Sequence, residues 1–115
     1  MNHTVHEKLA RAEMAVHTAR LLLRDAARTV TEHGATGGEA LSALVRLTGA
    51  QVSEKAVSAV DTVYDLAGST SVYATSRLDR CFRDVHSAVK HVTISQSHWE
   101  MVGHYLLGGD LRWRR

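Results

Sequence analysis

The stretch VHEKLARAEMAVHTARLLLRDAARTV, residues 5–30, decides the fold class of this 115-residue sequence. Its apolar positions are separated alternately by four and three residues, which is the heptad pattern of a helix that packs at a shallow angle against its neighbours. These positions are Val5, Leu9, Ala12, Val16, Ala19, Leu23, Ala26 and Val30. The pattern predicts a first helix over residues 4–33.

Two further helical stretches follow glycine-rich breaks. The glycines within residues 34–38 end the first helix and permit a tight connection, so the second helix, over residues 39–67, is expected to run antiparallel to the first. Its apolar residues form two stripes, which predicts a central position with neighbours on two sides. The heptad pattern returns over residues 78–106 until a Gly-Gly pair stops it, and weak helix formers at residues 93–96 can divide this last helix in two.

The composition supports an all-α domain. The sequence is 44% hydrophobic and contains no proline, a balance typical of long uninterrupted helices. We therefore predict a single domain over residues 1–115, an up-down bundle of three long helices. Because each helix is apolar on more than one stripe, one chain hardly closes the bundle on all sides, and a homodimer or homotetramer is expected.

Charge and residue counts exclude several classes of protein. A net charge of +2, concentrated in the last four residues, is too small and too local to indicate a nucleic-acid surface. No apolar run approaches the roughly 20 residues that cross a bilayer, and the start lacks an apolar signal core, so we expect a cytoplasmic protein. The single cysteine, Cys81, excludes an intramolecular disulfide and is predicted to be buried. The histidines lack the spacings of metal-binding motifs, so no metal site is predicted.

The segment from residue 63 onward carries a family resemblance. It reads VYDLAGSTSVY over residues 63–73 and RLDRCFRDVHSAVKH over residues 77–91. A Gly-Ser turn, an arginine-rich helix with an Arg-Asp pair, and a histidine seven residues after the Asp occur in this order. This arrangement resembles the C-terminal helical domain of flavin-dependent (group D type) monooxygenases of the acyl-CoA dehydrogenase superfamily.

The resemblance implies FAD or FMN as cofactor and assigns roles to particular residues. Gly68 and Ser69 correspond to a turn near the flavin, and Arg80 corresponds to a cofactor contact. His91 corresponds to a histidine that approaches the reactive face of the flavin, where a side chain with an unperturbed pKa of roughly 6.5 can act as acid or base. Common acyl-CoA dehydrogenases carry a glutamate base at the position of Val92, so dehydrogenation of an acyl-CoA by this chain's own base is not expected.

Three functions remain open on the sequence. In the first, a stand-alone or split-off domain assembles with itself or with a partner chain that bears the flavin-binding N-terminal domains, and completes an oxidoreductase site for a small aromatic or acyl substrate. In the second, a flavin-free small enzyme or metabolite-binding bundle uses His91 as acid or base. In the third, the domain serves oligomerisation alone. His86 and His98 are interpreted as structural histidines.

Overall fold

Four helices make up the described part of the chain. The computed structural model describes residues 3–68, 75–91 and 95–111. In chain order the helices are α1 (His3–His33), α2 (Gly38–Gly68), α3 (Thr75–His91) and α4 (Ser95–Leu106). These ranges contain no strand. The all-α prediction is confirmed, and the last predicted helix is present as two, α3 and α4.

A short turn connects α1 to α2. The backbone N–H groups of Thr36 and Gly37 donate to the carbonyl of His33 at 3.0 and 2.8 Å. The next residue, Gly38, begins α2 with a φ of +58°, a left-handed conformation that glycine adopts without steric cost. The predicted glycine break is therefore confirmed.

Small side chains hold α1 and α2 together. Ala12 and Ala15 of α1 form one buried cluster with Ala59 of α2, and Val63 packs against this cluster. Residues near the start of α1 therefore meet residues near the end of α2, which confirms the predicted antiparallel pairing. Alanine at these positions brings the helix axes close, because the distance between packed helices depends on the side chains at the contact.

The other side of α2 carries α3 and α4. Ala43 of α2 is buried with Val102 of α4 and with Leu111, and Leu47 and Tyr105 pack against this second cluster. Within the described ranges α1 contacts neither α3 nor α4. The predicted central position of α2 is confirmed, and the bundle is an open layer of helices with α2 in the middle.

A Schellman turn ends α4. The N–H of Gly108 donates to the carbonyl of Tyr105, and the N–H of Gly109 donates to the carbonyl of His104, both at 2.9 Å. This is the hydrogen-bond pattern of the motif, and Gly108 has the φ of +98° that it requires. The turn directs the chain back to the bundle, where Leu111 is only 2% exposed. The prediction that the glycines stop the helix is confirmed.

The structure corrects the predicted burial of Cys81 and shows which apolar side chains the bundle leaves exposed. Cys81 is exposed on α3 and not buried. Leu106, the last position of the heptad pattern, is 71% exposed at the end of α4. On α1 the alanines face α2, so one heptad row of larger side chains remains between 37% and 54% exposed. This row consists of Leu9, Val16, Leu23 and Val30.

Candidate functional site at the contact between α2 and α3

The contact between α2 and α3 is built from successive layers. Tyr64 of α2 lies against Phe82 of α3, and one turn further along Asp61 bonds to His86. Residue numbers fall along α2 as they rise along α3, so the two helices are antiparallel. This register also places Val57 at the level of Val89, and both side chains line one hollow.

The Asp61–His86 pair is a short hydrogen bond between the two helices. His86 Nε2 and Asp61 Oδ1 are 2.7 Å apart, and the two side chains are 37% and 46% exposed. Because an ionised carboxylate only accepts hydrogen bonds, Nε2 is the donor, and whenever the ring is neutral its free lone pair lies on Nδ1. A histidine oriented by a carboxylate and open to solvent is an arrangement that can exchange protons with a ligand.

Aromatic rings extend from this pair toward the end of α2. The Phe82 ring is 4.4 Å from the His86 ring at 41° and 4.3 Å from the Tyr64 ring at 30°. The Tyr64 hydroxyl donates to the Asp79 carboxylate, and this hydrogen bond raises the pKa of Tyr64. Tyr64 therefore remains a protonated donor at neutral pH, and Phe82 covers one side of the imidazole.

One helical turn or more from the pair lies an apolar hollow of about 290 Å³, which neither Asp61 nor His86 lines. Val57 and Val89 line it together with Ser53, Glu54 and Ser58. The indole N–H of Trp99 on α4 donates to the Glu54 carboxylate at 2.7 Å, which holds this polar group at the rim.

The outer face of α3 is cationic. Arg77, Arg80, Arg83 and Lys90 are all exposed, and Arg80 forms no ion pair with any described residue. The depression beside Arg80 has a volume of about 360 Å³. It is lined by Asp79, Arg80, Arg83 and Asp84. A helix face with exposed guanidinium groups suits phosphate or carboxylate ligands, and here the Asp79 and Asp84 carboxylates line the same depression.

Comparison with known protein families identifies the domain. Residues 2–96 match the family model described as acyl-CoA dehydrogenase, C-terminal domain. The chain belongs to this family. The match covers α1, α2 and α3 and reaches the start of α4. No curated protein and no solved structure matches the chain at a significant level.

In this acyl-CoA dehydrogenase C-terminal domain, the residues predicted from the resemblance do not all lie in one place. Gly68 is the last residue of α2 and His91 is the last residue of α3. The antiparallel register puts His91 beside the middle of α2, so about 13 residues of helix, or about 20 Å, separate it from Gly68. Ser69 and the His91 side chain lie outside the described part of the structure, and Arg80 is exposed on the outer face of α3.

The Asp61–His86 pair is a feature that the sequence analysis missed. His86 was interpreted as a structural histidine, and Asp61 was not singled out. The two residues are 25 positions apart, and no short motif joins them. Only the register of α3 on α2 brings them together, so the pairing becomes visible once Tyr64 and Phe82 are known to stack.

His98 occupies a separate environment on α4. Its Nδ1 atom is buried without a hydrogen-bond partner among the described residues. Burial lowers the pKa of His98, and the nearby Arg46 guanidinium lowers it further. Arg46 also contacts the sulfur of Met101 at 3.8 Å. The imidazole is therefore held neutral in the contact between α4 and the first half of α2.

Two other classes of site are not found in the described ranges. They contain no group of three His, Cys, Asp or Glu side chains placed to hold a metal ion. None of the helices there combines the length and apolarity that a membrane span needs.

Proposed function

We propose that this chain acts as the helical wall of a flavin-dependent oxidoreductase, in the monooxygenase branch of the acyl-CoA dehydrogenase superfamily. In this role Gly68, Ser69 and Arg80 contact FAD or FMN, and His91 is the acid or base. Membership of the family supports the general role. The observation that carries the proposal furthest is the cationic outer face of α3 with Arg80 at its centre.

The charges of this face fit the phosphate end of a flavin nucleotide. Arg80 and Arg83 are three residues apart on α3, so their side chains point to the same side of the helix. Both are exposed, which leaves their N–H groups available for charge-assisted hydrogen bonds to phosphate oxygens. The bound flavin supplies the redox chemistry, and these residues supply binding and orientation.

Gly68 and His91 are too far apart in one copy to share a flavin ring. Gly68 and His91 of one copy, about 20 Å apart by helix length, do not contact the same ring system. We therefore propose that a second chain completes the site. This is either another copy or a partner that bears the flavin-binding domains, and it binds the small aromatic or acyl substrate together with this chain.

The open layer of helices offers a surface for assembly. On α1 the exposed row of Leu9, Val16, Leu23 and Val30 lies beside the alanines that face α2. By helical register, the neighbouring side of α2 carries only apolar and small residues. These are Val45, Gly49, Ala56 and Val60. We call these eight residues the apolar face, and we propose that two copies pack it together as a four-helix bundle.

The phosphate contact is tested by titrating the purified chain with FAD, FMN and riboflavin, following flavin fluorescence. Riboflavin carries the same ring system without phosphate. We expect FMN to bind about fivefold more tightly than riboflavin, the size of an exposed charge pair. Arg80→Gln is expected to remove this difference.

The matched control is Arg24→Gln, because Arg24 is an exposed arginine on α1, away from α3. It should keep the preference for FMN. Equal affinity for FMN and riboflavin, or an equal loss in both variants, contradicts the proposed contact. No binding of any flavin in either redox state means that the partner chain with the flavin-binding domains is required, or that the role is flavin-free.

A further inference from the structure

Two charged side chains of opposite sign flank the exposed row of α1. Glu13 lies on the helix surface between Leu9 and Val16, four residues after the first and three before the second. Arg20 lies in the same way between Val16 and Leu23. We propose that two copies pack α1 against α1 in antiparallel orientation around Val16, and that Glu13 of each copy pairs with the partner's Arg20.

This arrangement rests on the proposed packing of two copies through the apolar face, and it adds the orientation and the register of that contact. All of its side chains lie on α1 and α2, within the described residues. The two copies are related by a two-fold axis, so every contact between them occurs twice.

Glu13 and Arg20 have no ionic partner within the chain. Both are exposed, and neither forms an ion pair with any described residue. Seven residues, or about 10.5 Å along the axis, separate them on one helix, so they do not reach each other. On the opposite side of α1, by contrast, charged side chains are paired within the helix, Glu7 with Arg11 and Asp25 with Arg28. An ionic partner for Glu13 and Arg20 is therefore available only from another molecule.

The antiparallel register around Val16 brings these charges together. Leu9 is seven residues before Val16 and Leu23 is seven residues after it, so each Leu9 faces the partner's Leu23. Glu13 is three residues before Val16 and Arg20 is four residues after it, so their levels differ by one residue, about 1.5 Å. Both side chains are long enough to span this offset. Charges beside an apolar seam commonly set the orientation of paired helices in this way.

Other antiparallel registers are less favourable for the charges. When Val16 faces the partner's Leu23, the two Arg20 side chains come to the same level, and like charges at close range repel each other. When Leu23 faces its own copy, Arg20 lies beside the partner's Ala27 and finds no carboxylate. Only the register around Val16 pairs Glu13 with Arg20.

A two-fold axis parallel to the helices would place α1 against the partner's α2. Within one chain Ala15 packs on Ala59, and an axis of this direction keeps the same levels. By helical register, Arg20 would then lie beside Ser53 and Glu13 beside Val60. Neither charge would meet an opposite charge, so the antiparallel packing of α1 on α1 is preferred.

The proposed axis also brings the two α2 helices together through small apolar side chains. Because Ala15 packs on Ala59, Val16 lies near the level of residue 58. Rotation about an axis at this level places Ala56 opposite the partner's Val60. Both belong to the apolar face, so the contact between copies continues from α1 onto α2 without burying a charge.

Charge reversal tests the pairing, with dimer dissociation measured by sedimentation equilibrium on the full chain without flavin. Glu13→Arg turns two attractions into two repulsions and should weaken the dimer by about tenfold. Arg20→Glu should have a similar effect, and the variant carrying both changes should regain most of the affinity, which a folding defect would not allow. The matched control is Glu32→Arg, an equal change of charge at an exposed site near the end of α1, and it should leave the affinity unchanged.

Cysteine cross-linking tests the orientation. In a Cys81→Ser background, Val16→Cys places two thiols at the two-fold axis, and mild oxidation should link the copies. Leu23→Cys places its thiol opposite the partner's Leu9, and it should give no linked dimer under the same conditions.

The outcomes separate this arrangement from the proposals on which it rests. A monomeric unmodified chain overturns both the arrangement and the contact through the apolar face. A dimer that is insensitive to the charge reversals, or that links through Leu23→Cys and not through Val16→Cys, overturns the orientation and register alone. Neither experiment involves flavin, so the phosphate contact of Arg80 is tested separately.

Discussion

His98 links the packing of a single side chain to the stability of the fold. Its Nδ1 is buried without a partner among the described residues, and burial together with Arg46 lowers its pKa in the folded state. In the unfolded chain the same imidazole has a pKa of about 6.5. The unfolded chain therefore takes up a proton more readily than the folded chain as the pH falls.

This difference predicts that the free energy of unfolding decreases as the pH is lowered through about 6.5 and levels off below the folded-state pKa. Above a pH of about 6.5 the neutral His98 makes its full contribution to the free energy of unfolding. This free energy is measured by urea unfolding followed by circular dichroism at a series of pH values between 8 and 5. His98→Gln should give a shallower pH dependence than the unmodified chain. His17→Gln, which changes an exposed histidine, should keep the pH dependence of the unmodified chain. If the free energy of unfolding changes equally with pH in all three proteins, His98 does not have this role.

The histidines also show where prediction from sequence stopped at the residue scale. Periodicity placed His86 and His98 on helices, but it could not tell which atoms the neighbouring helix touches. The bond from His86 to Asp61 and the electrostatic effect of Arg46 on His98 both depend on how α3 and α4 lie along α2. Cys81 was wrongly predicted to be buried because apolar neighbours in sequence do not show which side of α3 faces the bundle.

Among the helical elements, the end of α4 tests the importance of a left-handed glycine. Gly108 has a φ of +98°, and Gly108→Ala should destabilise the fold by about 1–2 kcal/mol because an L-residue is strained in this conformation. Gly103 is the matched control, since it lies inside α4 and a Cβ there meets nothing within 4 Å. Gly103→Ala should stabilise the fold by about 0.5–1 kcal/mol. Thermal unfolding of both variants measures the difference, and a loss of equal size in both contradicts the special role of Gly108.

The helix boundaries were largely predictable because apolar spacing and glycine act locally. The breaks near Gly38 and Gly108 follow from backbone conformations that glycine adopts most easily. The choice of buried row on α1 was not predictable in the same way. A heptad pattern marks Ala12 and Val16 alike as apolar, yet α2 packs on the alanines because only small side chains permit its close approach. The row that contains Val16 is left exposed.

For the whole molecule, the exposed row on α1 allows a test of self-association. Leu23 belongs to the apolar face and Leu21 does not, although each is 52% exposed. Residues two positions apart point to nearly opposite flanks of a helix. If copies pack through the apolar face, Leu23→Glu places a charge in the contact and should weaken assembly by more than about tenfold.

Sedimentation of the unmodified chain and of both variants over a range of concentrations measures this effect. Leu21→Glu should assemble like the unmodified chain. A monomeric unmodified chain, or equal behaviour of the two variants, excludes the apolar face as the contact.

The central position of α2 has a consequence for communication across the domain. Within the described ranges, α2 is the sole element that contacts both α1 on one side and α3 with α4 on the other. Within one copy and its described residues, an event on α1 therefore reaches the far side through a shift or turn of α2, as helices make in structural switches. While α2 stays in place, the two sides are insulated from each other. Substitutions on α1 can then alter assembly without disturbing α3, and the two surfaces are free to diverge independently.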